Sequence, residues 1–306
     1  MLTIAGIGEA LFDVFPGGRR RLGGAPVNFA VHAGQLIAAS GRAIPVSRIG
    51  RDALGREIRT ALARFGLDDA FLQEDADRPT GEVRVRISDA GEPSYDILRN
   101  AAWDAIEYTD DLRRLSASCD AVCFGTLAQR SERSRRSIQQ FVSDARRAWR
   151  LFDINLRQHF YDASILERGF ALASAAKLNE EELLVVARLF QLAPDPEVIR
   201  RRFALEHLIY TRGERGTVIC GATGVYEGAS ARFERHPEAD SVGAGDACAA
   251  AVTVGILSHW PLQQVADFAN QVGAYVASQP GGAPELPDAL TLRAKPAVAT
   301  PAPSVS

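Results

Sequence analysis

The sequence predicts an α/β fold of three layers, in which helices cover both faces of a mostly parallel central sheet and further strands form a small β-strand lid. From about Asp110 onward, short apolar segments alternate with helix-length segments, as in a parallel sheet with crossover helices. Val83, Val85 and Ile87 alternate with polar residues, so this strand has only one apolar face and belongs outside the buried sheet. The small apolar residues 247–257 predict a buried helix.

Length and composition predict one large domain that binds small molecules. The chain has 306 residues and 46% hydrophobic content, and we place the domain at residues 1–291. Residues 292–306 are rich in Ala, Pro and Ser and predict a disordered tail. A net charge of −3 disfavours nucleic acid as the main partner. Four cysteines without C-x-x-C spacing predict reduced core thiols. Neither a signal-like N-terminus nor a membrane-length apolar run is evident, so we expect a cytoplasmic protein without a membrane partner.

The N-terminal part predicts a buried strand followed by the first piece of the lid. Residues 2–8 form a short apolar run that ends in glycine. We expect the lid strands within about residues 9–22 and 80–99, with a turn at residues 89–92.

Two N-terminal motifs place polar groups where a ligand could bind. Asp13 ends the extended segment, where a carboxylate can cap a turn. Gly23 and Gly24 permit close approach of the backbone to a ligand, and Pro26 suits a first helical turn. Asn28 can donate and accept hydrogen bonds, although it is equally suited to bonding its own backbone at a helix start.

Two polar segments follow strands in the second half of the chain. The strands are expected at residues 121–125, 151–155, 175–178 and 206–210, and the intervening helices at 131–149, 162–173 and 180–190. Residues 153–157 and 177–182 fall at carboxyl ends of strands, where such sheets bind ligands. Arg157 suits a phosphate or a substrate carboxylate. Asn179 and Glu182 also have the spacing of a helix capping box.

The segment Asp240–Asp246 has the sequence Asp-Ser-Val-Gly-Ala-Gly-Asp and directly precedes the predicted buried helix. Its glycines permit a tight turn with accessible N–H groups, and a helix N-terminus attracts anions. Asp246 could accept a proton from a substrate hydroxyl while these amides stabilise a transferred phosphoryl group. On these residues alone, Asp246 could also be a charge in the first turn of an ordinary helix.

Three motifs together resemble the PfkB (ribokinase-like) family of carbohydrate kinases. Asp240–Asp246 resembles the second family signature, with Ser241 in place of the usual Thr, and Gly23–Asn28 resembles the first. Gly8–Asp13 resembles the fructokinase branch. The resemblance covers about residues 2–290 and implies ATP-dependent phosphorylation of a sugar's primary hydroxyl, with fructose as the first candidate. The alternatives are a 2-keto-3-deoxygluconate kinase, a ribokinase, or a catalytically inactive sugar-binding regulator on the same scaffold.

The resemblance also implies a role for individual residues. The expected catalytic residues are Asp246, Gly243, Ala244 and Gly245, and the expected sugar ligands are Asp13, Gly23, Gly24, Asn28 and Arg157. The expected nucleotide site comprises Asn179, Thr211, Gly213, Gly216, Gly243, Gly245 and Asn270, together with the loop at residues 279–283. Mg²⁺ is expected near Glu182 through water, and K⁺ is a further candidate at Asp240 and the carbonyl groups of that loop. The family further suggests a homodimer through the lid. A P-loop kinase is excluded because the chain has no Walker A sequence.

Overall fold

The computed structural model describes residues 1–87 and 93–291. The predicted turn at residues 89–92 and the predicted tail at residues 292–306 lie outside the described residues.

A large sheet and a small sheet contain all of the described strands. The strands are β1 Leu2–Ile7, β2 Leu11–Val14, β3 Arg20–Gly23, β4 Gly41–Gly50, β5 Leu72–Asp75, β6 Gly81–Ile87, β7 Pro93–Ile97, β8 Ala121–Gly125, β9 Trp149–Asp153, β10 Ala175–Asn179, β11 His207–Thr211, β12 Thr217–Gly221 and β13 Gly224–Glu227. The helices are α1 Ala25–Ile37, α2 Ala53–Arg64, α3 Asp110–Ser118, α4 Glu132–Asp144, α5 Ala163–Leu172, α6 Glu180–Leu189, α7 Pro196–Arg202, α8 Ala244–Leu257, α9 Leu262–Ala277 and α10 Asp288–Thr291.

The large sheet has nine strands in the order β13-β12-β11-β10-β9-β8-β1-β4-β5. It is parallel from β5 to β11, and β12 and β13 are antiparallel at one edge. The short connection between β11 and β12 permits only an antiparallel hairpin. The strand order reverses beside β1, so the carboxyl ends of β1 and β8 border the crevice in which such sheets bind ligands.

Helices cover both faces of the large sheet, which confirms the predicted three-layer fold. Helices α1, α8 and α9 pack on one face through an apolar cluster that includes Phe29 and Leu151. Helices α3 to α7 cover the opposite face, where Phe124, Phe152 and Phe170 are fully buried. Every residue of α8 from Asp246 to Gly255 is buried. This helix therefore belongs to the interior, as its small apolar side chains predict.

The small sheet has the order β3-β2-β6-β7 and carries the strands that the sequence assigned to a lid. Strands β2 and β6 are parallel, whereas the other two pairs are antiparallel. Asp13 lies opposite Arg21 on β3 and opposite Val83 on β6. Since paired residues share a face, Asp13 and Arg21 project to the same side of the small sheet.

One predicted boundary is wrong. The sequence predicts a helix over residues 131–149, but α4 ends at Asp144, and Trp149 begins β9 opposite Ala121. Ala145 is fully buried and leaves the helical conformation at ψ 52°. Trp149 is a bulky aromatic residue that is buried in the sheet, so tertiary packing decides the position of this boundary.

Among the described helices, none combines the length and the apolar character that crossing a membrane requires.

Candidate active site

The first turns of α1 and α8 meet at the carboxyl ends of the central strands. Gly24 precedes α1 with φ 102°, and Gly243 precedes α8 with φ 76°, backbone conformations that glycine adopts easily. Asn28 in α1 donates a hydrogen bond of 2.8 Å from Nδ2 to Oδ2 of Asp246 in α8. Two residues that are 218 positions apart in the sequence are thus joined in one buried contact.

Asp246 has a buried carboxyl group whose pKa lies close to neutral pH. Burial and the neighbouring charge of Asp153 raise its pKa from 3.8 to about 6, although Asn28, Lys177 and Arg157 act in the opposite direction. A carboxylate with this pKa is mostly ionised at pH 7 and has useful basicity, which suits a general base. The N–H groups of Gly245 and Asp246 lie in the first turn, where no acceptor within the helix is available.

The loop at residues 279–283 closes over both helix N-termini. A Cβ atom at Gly243 would lie 2.0 Å from the carbonyl oxygen of Gly282, so only glycine fits there. A Cβ atom at Gly282 would in turn lie 2.7 Å from Nδ2 of Asn28. His32, one turn after Asn28, is 3.0 Å from the Gly282 carbonyl oxygen through Nε2. Burial lowers the pKa of His32 to about 4, so a neutral imidazole holds this loop at physiological pH.

The predicted sugar ligands lie beside the small sheet. Burial raises the pKa of Asp13 to about 6, although the charges of Arg157 and Arg21 act in the opposite direction. A Cβ atom at Gly23 would lie 2.8 Å from Oδ2 of Asp13. A Cβ atom at Gly24 would lie 2.3 Å from the backbone carbonyl oxygen of Glu9. Arg157 is exposed, and its guanidinium group donates a hydrogen bond to the carbonyl oxygen of Leu156. The structure therefore brings the charge of Arg157 near this group without fixing its side chain.

Glu9 is a buried carboxyl group that sequence reasoning did not select. Its Oε1 accepts the N–H of Ala25 at 3.3 Å, and its Oε2 has no hydrogen-bond partner among the described residues. Oδ1 of Asn28 is likewise buried without such a partner. Burial raises the pKa of Glu9 to about 7, and the charge of Asp246 raises it further. Its position directly after β1, at the reversal in strand order, is the signal that would have identified it.

A buried ion pair lies below the N-terminus of α8. Nζ of Lys177 is 2.8 Å from Oδ1 of Asp153, and the two side chains are 7% and 4% exposed. A Cβ atom at Gly245 would lie 3.3 Å from Nζ of Lys177. The sequence analysis noted both polar segments but did not pair them. The pair depends on the register of β10 and β9, in which Lys177 lies opposite Asp153, and the sequence contains no signal for that register.

Asn179 and Glu182 form the capping box that the sequence left open as an alternative. Oδ1 of Asn179 accepts the N–H of Glu182 at 2.9 Å, and Oε2 of Glu182 accepts the N–H of Asn179 at 2.9 Å. Oε1 of Glu182 accepts the N–H of Leu156 at 2.8 Å. Burial raises the pKa of Glu182, although the charge of Lys177 acts in the opposite direction. Glu182 therefore connects the segments that follow β9 and β10.

The predicted nucleotide residues after β11 form a turn, whereas Asn270 is a buried residue of α9. Thr211 ends β11, and Gly213 and Gly216 adopt φ 57° and 77° in the turn after it. Asn270 is buried, and its amide group is already occupied by backbone partners. Its Oδ1 accepts the N–H of Thr217 at 2.7 Å, and its Nδ2 donates to two carbonyl oxygens of residues 228–229 at 2.8 and 3.0 Å. Asn270 thus positions the turn and gives its side-chain hydrogen bonds to the protein.

Asp240 is not free for a cation in this structure. Its Oδ2 forms an ion pair with the guanidinium group of Arg21, and its Oδ1 accepts the N–H of Val242 at 3.1 Å. No local sequence pattern indicates this pair, because its partners are 219 positions apart.

The chain is similar to a known protein family and to several solved structures. A model of the pfkB family of carbohydrate kinases matches residues 15–289. The fructokinase of Klebsiella pneumoniae is 30% identical over 267 residues, which are 83% of this chain and 84% of the relative. The crystal structure of the Xylella fastidiosa fructokinase with bound ATP superposes with a TM-score of 0.82 at 21% identity, covering 95% and 97% of the two chains. A double mutant of the Vibrio cholerae O395 fructokinase with fructose, ADP and a potassium ion gives a TM-score of 0.77 at 22% identity, covering 96% and 98%.

Proposed function

The chain belongs to the pfkB family of carbohydrate kinases, and from this premise we propose that it transfers the γ-phosphoryl group of ATP to a primary hydroxyl of fructose. The observation that supports this reaction best is the buried carboxylate of Asp246 at the meeting point of the α1 and α8 N-termini. The name of the Klebsiella pneumoniae relative supports fructose as the acceptor.

Asp246 acts as the general base for the acceptor hydroxyl. Its carboxylate takes the hydroxyl proton as the oxygen attacks the phosphorus, and the bond to the leaving ADP oxygen breaks. The N–H groups of the Gly243–Asp246 turn stabilise the charge on the transferred phosphoryl oxygens. The glycine turn packs closely against Gly282, which helps to hold these donors in position.

The sugar binds between the small sheet and the start of α1. Asp13 and the unpaired Oδ1 of Asn28 accept hydrogen bonds from its hydroxyl groups, and the backbone at Gly23 and Gly24 contacts it closely. The small sheet covers the bound sugar as a lid and excludes water that would otherwise hydrolyse ATP. A second copy of the chain packs against this lid in a homodimer, which size-exclusion chromatography with light scattering tests.

ATP lies along the turn at Thr211–Gly216 and the loop at residues 279–283. Among the described residues, no three acidic, histidine or cysteine side chains meet in a possible metal cluster. Mg²⁺ is held by phosphates and waters, because Mg²⁺ loses water reluctantly. Glu182 and Asn179 bind its waters through the remaining lone pairs of their oxygen atoms, and the bound ion reduces the phosphate charge. The ATP requirement and the four buried free cysteines are consistent with a cytoplasmic kinase.

A second acceptor, 2-keto-3-deoxygluconate, is supported by one observation. Arg157 is an exposed guanidinium group close enough to influence Glu9, Asp13 and Asp246 electrostatically. Such a group can pair with the carboxylate of a sugar acid.

The deciding experiment measures ADP release with Mg-ATP and a panel of fructose, 2-keto-3-deoxygluconate, ribose, glucose and adenosine. We expect turnover with fructose and its near loss in Asp246→Asn. Preference for the sugar acid that disappears in Arg157→Gln would establish the second acceptor instead. Binding of a sugar in calorimetry without any ADP release would show that the chain is a regulator and not a kinase.

A further inference from the structure

The guanidinium group of Arg21 lies between Asp240 and the closing loop at residues 279–283. It forms an ion pair with Oδ2 of Asp240, and its side chain is only 15% exposed. A Cβ atom at Gly281 would lie 3.4 Å from Cδ and 3.9 Å from Nε of Arg21. Arg21 therefore fills the space between the two elements that the sequence analysis assigned to a monovalent cation.

The residues present do not fit an additional cation at this position. An arginine side chain is protonated at any pH that a folded protein tolerates, so the site already holds one positive charge. A second cation beside it would meet direct charge repulsion. The acidic groups near this guanidinium are Asp240, Glu238 at 3.9 Å, and Asp13 opposite it on β2, whereas Arg19 adds a further positive charge.

We propose that Arg21 replaces a monovalent cation at Asp240, so that phosphoryl transfer by this chain does not depend on K⁺. In contrast, the Vibrio cholerae structure in the comparison contains a potassium ion. Asp240 begins the segment that leads to Gly243, and its Oδ1 holds the N–H of Val242 within that segment. Neutralising the Asp240 carboxylate therefore fixes the turn that binds the phosphoryl group.

The positive charge at Asp240 belongs to a side chain of the small sheet and not to a diffusible ion. Arg21 lies on β3, directly opposite the predicted sugar ligand Asp13 on β2. The strand beside the one that carries Asp13 thus brings the charge to the phosphate turn. A diffusible ion at Asp240 would have no such connection to the sugar site.

The wild-type protein is tested first, in two independent measurements. ADP formation from the Tris salt of ATP with MgCl₂ is measured in KCl and in tetramethylammonium chloride at equal ionic strength. Ion-exchange chromatography quantifies ADP, so no coupling enzyme adds a cation requirement of its own. Thermal unfolding is recorded in the same two salts. This second measurement needs no turnover, so it tests the Arg21 inference even if the proposed kinase function, on which the activity assay rests, is incorrect.

We expect the wild-type melting temperature to be the same in both salts. The wild-type kcat/KM should agree within about twofold, which corresponds to about 0.4 kcal/mol. Arg21→Gln removes the charge and opens the position. Its activity should fall in tetramethylammonium and recover in K⁺, and its melting temperature should rise specifically with K⁺. Arg19→Gln is the matched control, because Arg19 is a neighbouring exposed arginine that pairs with Glu238 rather than Asp240.

A K⁺-specific rise in wild-type activity or melting temperature would overturn the inference. It would also be overturned if Arg21→Gln kept full activity without gaining any response to K⁺, because the guanidinium group would then not replace a cation. The same K⁺ response in Arg19→Gln and Arg21→Gln would place the effect elsewhere and refute the assignment as well. The wild-type measurements decide the question even if Arg21→Gln does not fold.

Discussion

The substitution Asp246→Asn should remove nearly all phosphoryl transfer and at the same time stabilise the fold. Loss of a positioned general base reduces kcat by about 10²- to 10⁴-fold. Asparagine has nearly the same shape, and its amide oxygen can still accept the 2.8 Å hydrogen bond from Nδ2 of Asn28. The active-site geometry should therefore persist, and the lost activity can be attributed to the missing carboxylate.

The expected gain in stability follows from the raised pKa of Asp246. Burial is the main cause of the rise from 3.8 to about 6, so the folded protein binds this proton more tightly than the unfolded chain. At pH 8 the ionised carboxylate therefore lowers the unfolding free energy by about 3 kcal/mol. This value is the pKa difference multiplied by about 1.36 kcal/mol per pKa unit. The cost is fully present above about pH 6 and disappears as pH falls toward 4. Asp246→Asn should accordingly be more stable at pH 8 and similar to wild type near pH 4.

Urea unfolding and ADP release, each measured at several pH values, test both parts. The matched control is Asp75→Asn, which alters a carboxylate of the sheet edge that is 2% exposed. Burial raises the pKa of Asp75, but the N–H groups of Arg78 and Asp77 and the charge of Arg48 outweigh burial and lower it. This control should lose stability and keep kcat. Activity of Asp246→Asn within tenfold of wild type at pH 8 would refute the role as base, and lower stability at pH 8 would refute the electrostatic argument.

Three other substitutions probe the surroundings of Asp246. Lys177→Met leaves the buried Asp153 carboxylate without its 2.8 Å partner and should lower the unfolding free energy by about 3–5 kcal/mol in urea. The double variant with Asp153→Asn should recover most of this loss, and equal stability of single and double variants would contradict an ion pair. Glu9 has a higher pKa than Asp246 and is mostly neutral while Asp246 titrates, so Glu9→Gln should leave the acid limb of the pH–rate profile in place; a shift of that limb would contradict this order of ionisation. Gly243→Ala places a Cβ atom 2.0 Å from a carbonyl oxygen at φ 76° and should reduce kcat at least about tenfold in the ADP assay, whereas wild-type activity would show that the turn is not required.

The sequence predicted the buried helix α8 and the parallel sheet correctly because both depend on local sequence patterns. The small apolar residues of α8 and the glycine turn before it determine a buried helix with an accessible N-terminus, whatever surrounds them. The alternation of apolar segments and helices similarly predicts the parallel sheet. These patterns also led to Asp246 and Asn28, which the structure joins.

The charge pairs of the site could not be predicted because they depend on tertiary register. Lys177 and Asp153 are 24 positions apart, and they meet only because β9 and β10 align in one particular register. Arg21 reaches Asp240 from the other end of the chain. The position of Glu9 after β1 could be read from the sequence, but its unpaired oxygen atom is visible only when every neighbouring donor has been placed.

The contrast between α8 and the small sheet has a consequence for how new substrates can be acquired. Substitutions in α8 must preserve the volume of a fully buried helix, whereas the small sheet carries exposed side chains such as those of Arg20 and Arg84. Random mutagenesis for a different acceptor should therefore yield mostly changes in β2, β3, β6 and β7. The phosphoryl-transfer groups can stay constant while the hydroxyl-binding groups change. The strands of the small sheet can therefore change more freely than α8, whereas Asn28 stays constrained by its hydrogen bond to Asp246.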